Sequence, residues 1–154
     1  MIADSVIDIV NDTVNFQNDD LCNEMIYTGA PPSYYKHIKL FAHRRAGFTT
    51  AALRLLDRYT STLIVTPSHV IKNYYRRMAF DEGLTPSVQE YIDDHIIPES
   101  FIDLRWIRAH RPEQRHQLII LDPASMIEKR RGPNEMNRLR DELFMICDVL
   151  VELG

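Results

Sequence analysis

The segment Ala42-His43-Arg44-Arg45-Ala46-Gly47-Phe48-Thr49-Thr50 gathers cations, a glycine and two hydroxyls between two apolar runs. Glycine lets a backbone turn tightly enough for successive amides to face one point. A helix starting there adds the positive end of its dipole, so such a turn favours an anion, phosphate above all. Arg44 and Arg45 supply charge, and the hydroxyl of Thr49 is a hard oxygen donor suited to Mg²⁺. Further along, the apolar run Leu118-Ile119-Ile120-Leu121 ends at Asp122, a carboxylate that can hold the same cation through water if folding brings the two together. On the pattern of a phosphate-binding loop, the candidate residues are Arg44, Arg45, Ala46, Gly47, Phe48, Thr49, Thr50 and Asp122, with Thr49 and Asp122 as the Mg²⁺ pair if a nucleotide binds.

These residues need a strand before the turn and a helix after it. His37 to Ala42 alternates as a strand, and Thr49 to Tyr59 has helical spacing. Leu63-Ile64-Val65 is a β-branched strand stopped by Pro67, and Ser68 suits the N-cap of a helix running to about Phe80. After Gly83 and Pro86 the spacing predicts a polar helix from Ser87 to Ile96, ended by Pro98. Leu104 to Ala109 alternates as a further strand. The continuous apolar run Leu118 to Leu121 marks a central parallel strand buried on both faces. Pro133 opens a helix to about Cys147, followed by a strand at Val149-Leu150-Val151. One helix through to Leu153 also keeps the spacing, but an open parallel sheet calls for the strand. The expected fold is α/β: a mostly parallel open sheet of about five strands with helices on both faces. Residues 1–35, with Ile2, Val6, Ile9, Val10 and Val14 at helical spacing, form an acidic N-terminal helical segment ahead of the α/β domain at 36–154.

Against the phosphate-loop template GxxxxGK[ST], Gly47 and Thr49 match, while Ala42 stands for the first glycine and Phe48 for the lysine. In this setting the chain resembles P-loop NTPases of the helicase and viral DNA-packaging (terminase large subunit) type, over roughly residues 36–154. Thr66-Pro67-Ser68 is similar to the turn after the second strand in that group, and Leu118 to Asp122 looks like its Walker B strand. Some packaging ATPases have an Arg-x-Gly-aromatic-Ser/Thr core, similar to Arg45-Ala46-Gly47-Phe48-Thr49 with neighbouring Arg44. The resemblance implies a P-loop NTPase-like fold, ATP with Mg²⁺ as cofactor and a viral, phage-type origin. A glutamate that polarises water follows the Walker B aspartate in the group, and here Pro123 stands in that position. General-base help is worth on the order of 10²- to 10⁴-fold, so the expected protein is a degenerate one that is not an active ATPase.

Net charge is −4, but its distribution is uneven. Residues 1–35 hold six acids and no Lys or Arg, while residues 36–154 hold 16 acids and all 18 bases. The cations Arg76, Arg77, Arg105, Arg108, Arg111 and Arg115 are candidates for DNA or RNA contact, and Tyr74-Tyr75-Arg76-Arg77 pairs aromatics with cations as single-strand binders do. A second function class is a small accessory or inhibitory protein that meets a protein partner through its acidic N-terminus. No apolar stretch approaches the roughly 18 residues of a membrane span. The N-terminus lacks the basic flank of a signal peptide, so a cytoplasmic location is expected, the host cytoplasm for a viral protein. Cys22 and Cys147 lack CxxC spacing and read as a reduced, buried pair. The six histidines show no HExxH or HxxxH spacing, and neither Ser68 nor Ser125 sits in a GxSxG elbow, so metal-hydrolase and serine-hydrolase chemistry are not indicated.

Overall fold

Five short strands, of which the three central ones are almost wholly buried while the edge strand His37–Leu40 exposes Lys39, pair into one sheet in which every neighbour runs parallel. The computed structural model describes residues 2–42, 47–81 and 94–154. In chain order the elements are α1 (Ile2–Phe16), α2 (Asp20–Tyr27), β1 (His37–Leu40), α3 (Phe48–Arg58), β2 (Thr62–Thr66), α4 (His69–Asp81), β3 (Ile96–Pro98), α5 (Leu104–Arg108), β4 (His116–Leu121), α6 (Ala124–Arg131), α7 (Pro133–Phe144) and β5 (Cys147–Leu153). The sheet order is β1-β5-β4-β2-β3, with β5 inserted between β1 and β4. This is the α/β class expected from the sequence, with Leu118 to Leu121 in the central strand and the C-terminal segment a strand rather than more helix.

Side chains alternate across a strand, so one sheet feeds two cores. Leu118 and Ile120 of β4 pack with Val149 and Val151 of β5 under α1, α3 and α4. Ile119, Leu121 and Leu150 pack on the other face with Ile107 of α5, Ile127 of α6 and Met136, Leu139 and Leu143 of α7. The acidic first helix belongs to this packing. Ala3, Val6 and Val10, at i, i+3 and i+7, are buried in the same core as α3. Asp4 of α1 pairs with Arg54 of α3 at 3.2 Å. Both cysteines are free and buried, and among the described residues no helix is long and apolar enough to cross a membrane.

Three local expectations are corrected. Leu104 to Arg108 is helix α5 rather than a strand, because the Asp103 side chain accepts the Trp106 amide at 2.7 Å and caps a helical turn. Five alternating residues cannot by themselves separate one helical turn from an edge strand. The fifth strand is instead Ile96–Pro98, on the edge where a residue without an N–H is tolerated. The helix expected to run to Ile96 and end at Pro98 is therefore already a strand at Ile96, and its part at 87–93 lies outside the described residues. Helices α2 and α6 are additions to the expected set. Asp19 caps α2 by accepting the Leu21 amide at 2.9 Å, yet only Cys22 of that helix is buried.

A buried charge cluster fixes β5 to α7. Glu152, 1% exposed, receives a two-pronged grip from Arg140, Nε and Nη2 each at 2.9 Å, and also meets His37 of β1. Despite the burial, these partners hold its carboxyl down to about 2. Truncating the cation would leave that buried charge with only His37 beside it, so Arg140→Ala should cost about 3 kcal/mol in urea denaturation at pH 7. Glu152's contribution is fully present above its unfolded pKa of 4.5 and drains away as pH falls toward about 2. The gap between the variant and the unmodified protein should therefore narrow steadily below pH 4.5, and a gap independent of pH would show that the pair is not what stabilises this seam.

Candidate functional site

In a parallel sheet covered on both faces, side chains become accessible where the strands end, and a crevice opens where successive connections leave toward opposite faces. Here β1 leads into α3 on one face, and β4 leads into α6 on the other. Between them lies a cleft of about 600 Å³ at the carboxyl ends of β1, β4 and β5. Its polar groups come from the strand ends and helix starts: Thr49, Asp122, Ser125 and Gly154. Its apolar wall comes chiefly from α4, through Ile71, Tyr74 and Met78.

Gly47 stands at the N-cap of α3 with φ +95°, a left-handed conformation that a side chain would strain, and its carbonyl accepts the Ala51 amide at 3.0 Å. Phe48 begins the helix. Its ring is partly buried against the α1–α3 core and also lines the cleft. Thr49 follows, half-buried, and Thr50 is buried.

Asp122 is the first residue past β4, and its amide still bonds Val65 O at 3.1 Å. The residue is 4% exposed. Its Oδ2 accepts from Thr49 Oγ1 at 3.3 Å and from the Tyr75 hydroxyl. Oδ1 accepts neither of these bonds. Burial pushes the Asp122 carboxyl up to about 6, against the opposing pull of the two hydroxyl donors. Tyr75, wholly buried, has its phenol raised well above the usual value by burial and by the neighbouring carboxylate, so it remains a neutral donor. Pro123 comes next, joined through a cis peptide, and supplies neither a carboxylate nor an N–H.

The fold thus brings Gly47, Phe48, Thr49, Thr50 and Asp122 into one cleft. Arg44, Arg45 and Ala46 lie outside the described residues. The other arginines are dispersed. Arg76 and Arg77 are exposed on α4, while Arg105 and Arg108 are exposed on α5, which packs on the opposite face of the sheet. Arg111 is exposed just past α5. Arg115 precedes β4, seven residues or about 23 Å of strand from Asp122. Its guanidinium is engaged by Asp148 Oδ1 at 2.8 Å, Met145 O at 3.1 Å and Cys147 O. Tyr75, as a partner of Asp122, is the functional residue that sequence reasoning missed. Its signal was present in the i, i+3, i+4, i+7 series Ile71, Tyr74, Tyr75 and Met78, which marks the inward stripe of α4.

Among the described residues no group of three or more His, Cys, Asp or Glu could hold a metal ion. Thr49 and Asp122 nonetheless supply the oxygen donors that Mg²⁺ takes when most of its shell is phosphate and water. Comparison with family models, curated proteins and solved structures finds no match for the chain.

A carboxyl held at about 6 in the fold and 3.8 when unfolded favours the folded state in its neutral form. That contribution is complete below pH 4 and is lost as pH rises through 6. Asp122→Asn carries no charge to bury and can still accept from Tyr75. The rise in the folded-state pKa is equivalent to roughly 3 kcal/mol, so the variant should match the unmodified protein at pH 4 and exceed it by on the order of 2–3 kcal/mol at pH 7 in urea denaturation. Superimposable pH profiles would show that Asp122 is not a strained carboxylate.

Proposed function

We propose that this chain is a P-loop-like domain that binds a phosphate-bearing ligand, ATP with Mg²⁺ in the first instance, and turns it over slowly or not at all. The observation that carries the reading is the hydrogen bond from Thr49 to Asp122, which joins the first turn of α3 to the end of β4 within the cleft. A hydroxyl in the first turn of a helix and a carboxylate at the end of a central parallel strand are the two protein donors that a phosphate-bound Mg²⁺ requires. The five-stranded parallel sheet is compatible with that fold. Kinship with helicases and packaging ATPases is a finer part of the proposal. It is supported by Thr66-Pro67-Ser68 at the turn between β2 and α4, and by Gly47 and Thr49 at the start of α3. Low turnover follows from Phe48 in place of a lysine and from Pro123 in place of a glutamate.

A nucleic-acid role has narrower support, since the sheet separates the α4 arginines from those on α5. The accessory-protein reading has an observation of its own. On α2, Leu21, Ile26 and Tyr27 are exposed beside Asp19, Asp20 and Glu24, an acidic surface with apolar side chains suited to a basic partner.

Calorimetric titration of ATP, with and without Mg²⁺, tests the main proposal. Binding should be Mg²⁺-dependent and should weaken about tenfold in Thr49→Val, the scale of one lost charge-assisted contact. Phosphate release should stay below roughly 0.1 per second, given a missing general base worth 10²- to 10⁴-fold. Turnover near 1 per second would overturn the inactive part of the proposal, and absence of any nucleotide or phosphate binding would overturn all of it.

A further inference from the structure

The cleft is polar at the strand ends and apolar along α4, and this asymmetry bears on what the phosphate is attached to. Ile71, Tyr74 and Met78 stand at i, i+3 and i+7, so they share one face of α4 and form a continuous wall. Ile71 and Met78 are half-buried, and Tyr74 is 47% exposed. Phe48 adds a second aromatic ring from the start of α3. In a loop built for a triphosphate, the position of Phe48 holds a lysine that neutralises the outer phosphates. Here the same position makes the cleft more apolar. A bare phosphate, or a long polyphosphate tail, would leave this wall facing water.

Ligand sites combine an apolar lining with a few placed polar groups, and typically enclose about 300–1,000 Å³. The volume here, about 600 Å³, falls inside that range. A flat ring suits the wall, because tyrosine stacks on aromatic faces and the methionine thioether packs well at ring edges. At the polar end the Ser125 hydroxyl can donate to a phosphate oxygen, and the Asp122 carboxylate can meet one through a cation. Resting on the phosphate-binding reading above, we propose that the ligand of this cleft is a phosphorylated nucleoside whose base lies against the Ile71–Tyr74–Met78 wall, so that ring and phosphate are recognised together. Such a group occurs both as a free mononucleotide and at the 5′ end of a nucleic-acid strand.

The test uses the full chain and four probes in calorimetry with Mg²⁺ present: inorganic phosphate, AMP, ribose 5-phosphate and a 5′-phosphorylated single-stranded hexanucleotide. AMP or the hexanucleotide should bind at least about tenfold more tightly than inorganic phosphate and ribose 5-phosphate, the scale of one base–aromatic stack. Tighter binding of AMP identifies the free nucleotide as the source, and tighter binding of the hexanucleotide identifies the strand end. Tyr74→Ala should remove most of that advantage while leaving inorganic phosphate unchanged, and Tyr74→Phe should retain it. The substitution does not touch the buried bond to Asp122, which belongs to Tyr75. Equal affinity for all four probes, or an unchanged preference in Tyr74→Ala, would overturn the base seat while leaving the phosphate site standing. Failure of all four probes while ATP binds would overturn the base seat alone, and failure of ATP as well would overturn the phosphate-binding reading on which it rests.

Discussion

Burial of β4 and β5 on both faces is the constraint from which the rest of the arrangement follows. Their side chains feed two separate cores, and their main-chain groups are consumed by the parallel ladder. Chemistry is therefore available only at the two ends of the sheet, and the ends are built differently. At the amino end of β5, Lys36 gives its ammonium to Phe144 O and Cys147 O, and Arg115 gives its guanidinium to Met145 O and Cys147 O. These cations satisfy carbonyls left over at the C-terminus of α7 and the start of the strand. That end is closed. At the carboxyl end the chain places Asp122, whose only described partners are neutral hydroxyls.

Two buried carboxyl groups at neighbouring strand ends show what this difference means. Glu152 pairs in register with Leu121, one residue before Asp122, and the two acids are 1% and 4% exposed. Arg140 and His37 hold Glu152 far down, whereas Asp122, without a cation among the described residues, is pushed up by desolvation. Neutral donors offset part of the cost of burying a charge but do not cancel it. Natural folds retain such strain mainly where a ligand relieves it. A cation or a hydrogen-bond donor arriving in the cleft would do for Asp122 what Arg140 does permanently for Glu152.

Much of the sheet was legible in the sequence because its signals were long or redundant. Leu118 to Leu121 is apolar without interruption, Gly47 and Thr49 sit between a strand pattern and a helix pattern, and Val149 to Val151 supplies the strand that closes the gap between β1 and β4. Short elements were not legible. Leu104 to Arg108 alternates over too few residues to declare its period, and the decisive signal was the cap at Asp103. Ile96 and Ile97 form a strand only because β2 offers them an edge, a tertiary cause with no local trace. The site divided along the same line. Thr49 and Asp122 were recoverable from their neighbours in sequence, but the Tyr75 contact depends on how α4 lies across the sheet.

Phe48 stands where the acidic first helix and the start of α3 share a core. Its ring is partly buried against the core that contains Ala3, Val6 and Val10, and a Cβ placed on Gly47 would meet Ala3 Cβ at 3.8 Å. The start of α1 is thus packed against the start of α3, with Asp4 and Arg54 pairing beside it. A lysine at position 48 would have to withdraw a strongly hydrated ammonium from that contact or snorkel out of it. Phenylalanine instead contributes apolar area to both the core and the cleft wall. A Phe48→Lys substitution would therefore weaken the packing between α1 and α3 while leaving Pro123 after Asp122. The departure from the phosphate-loop pattern at position 48 is thus part of how this chain closes its first core.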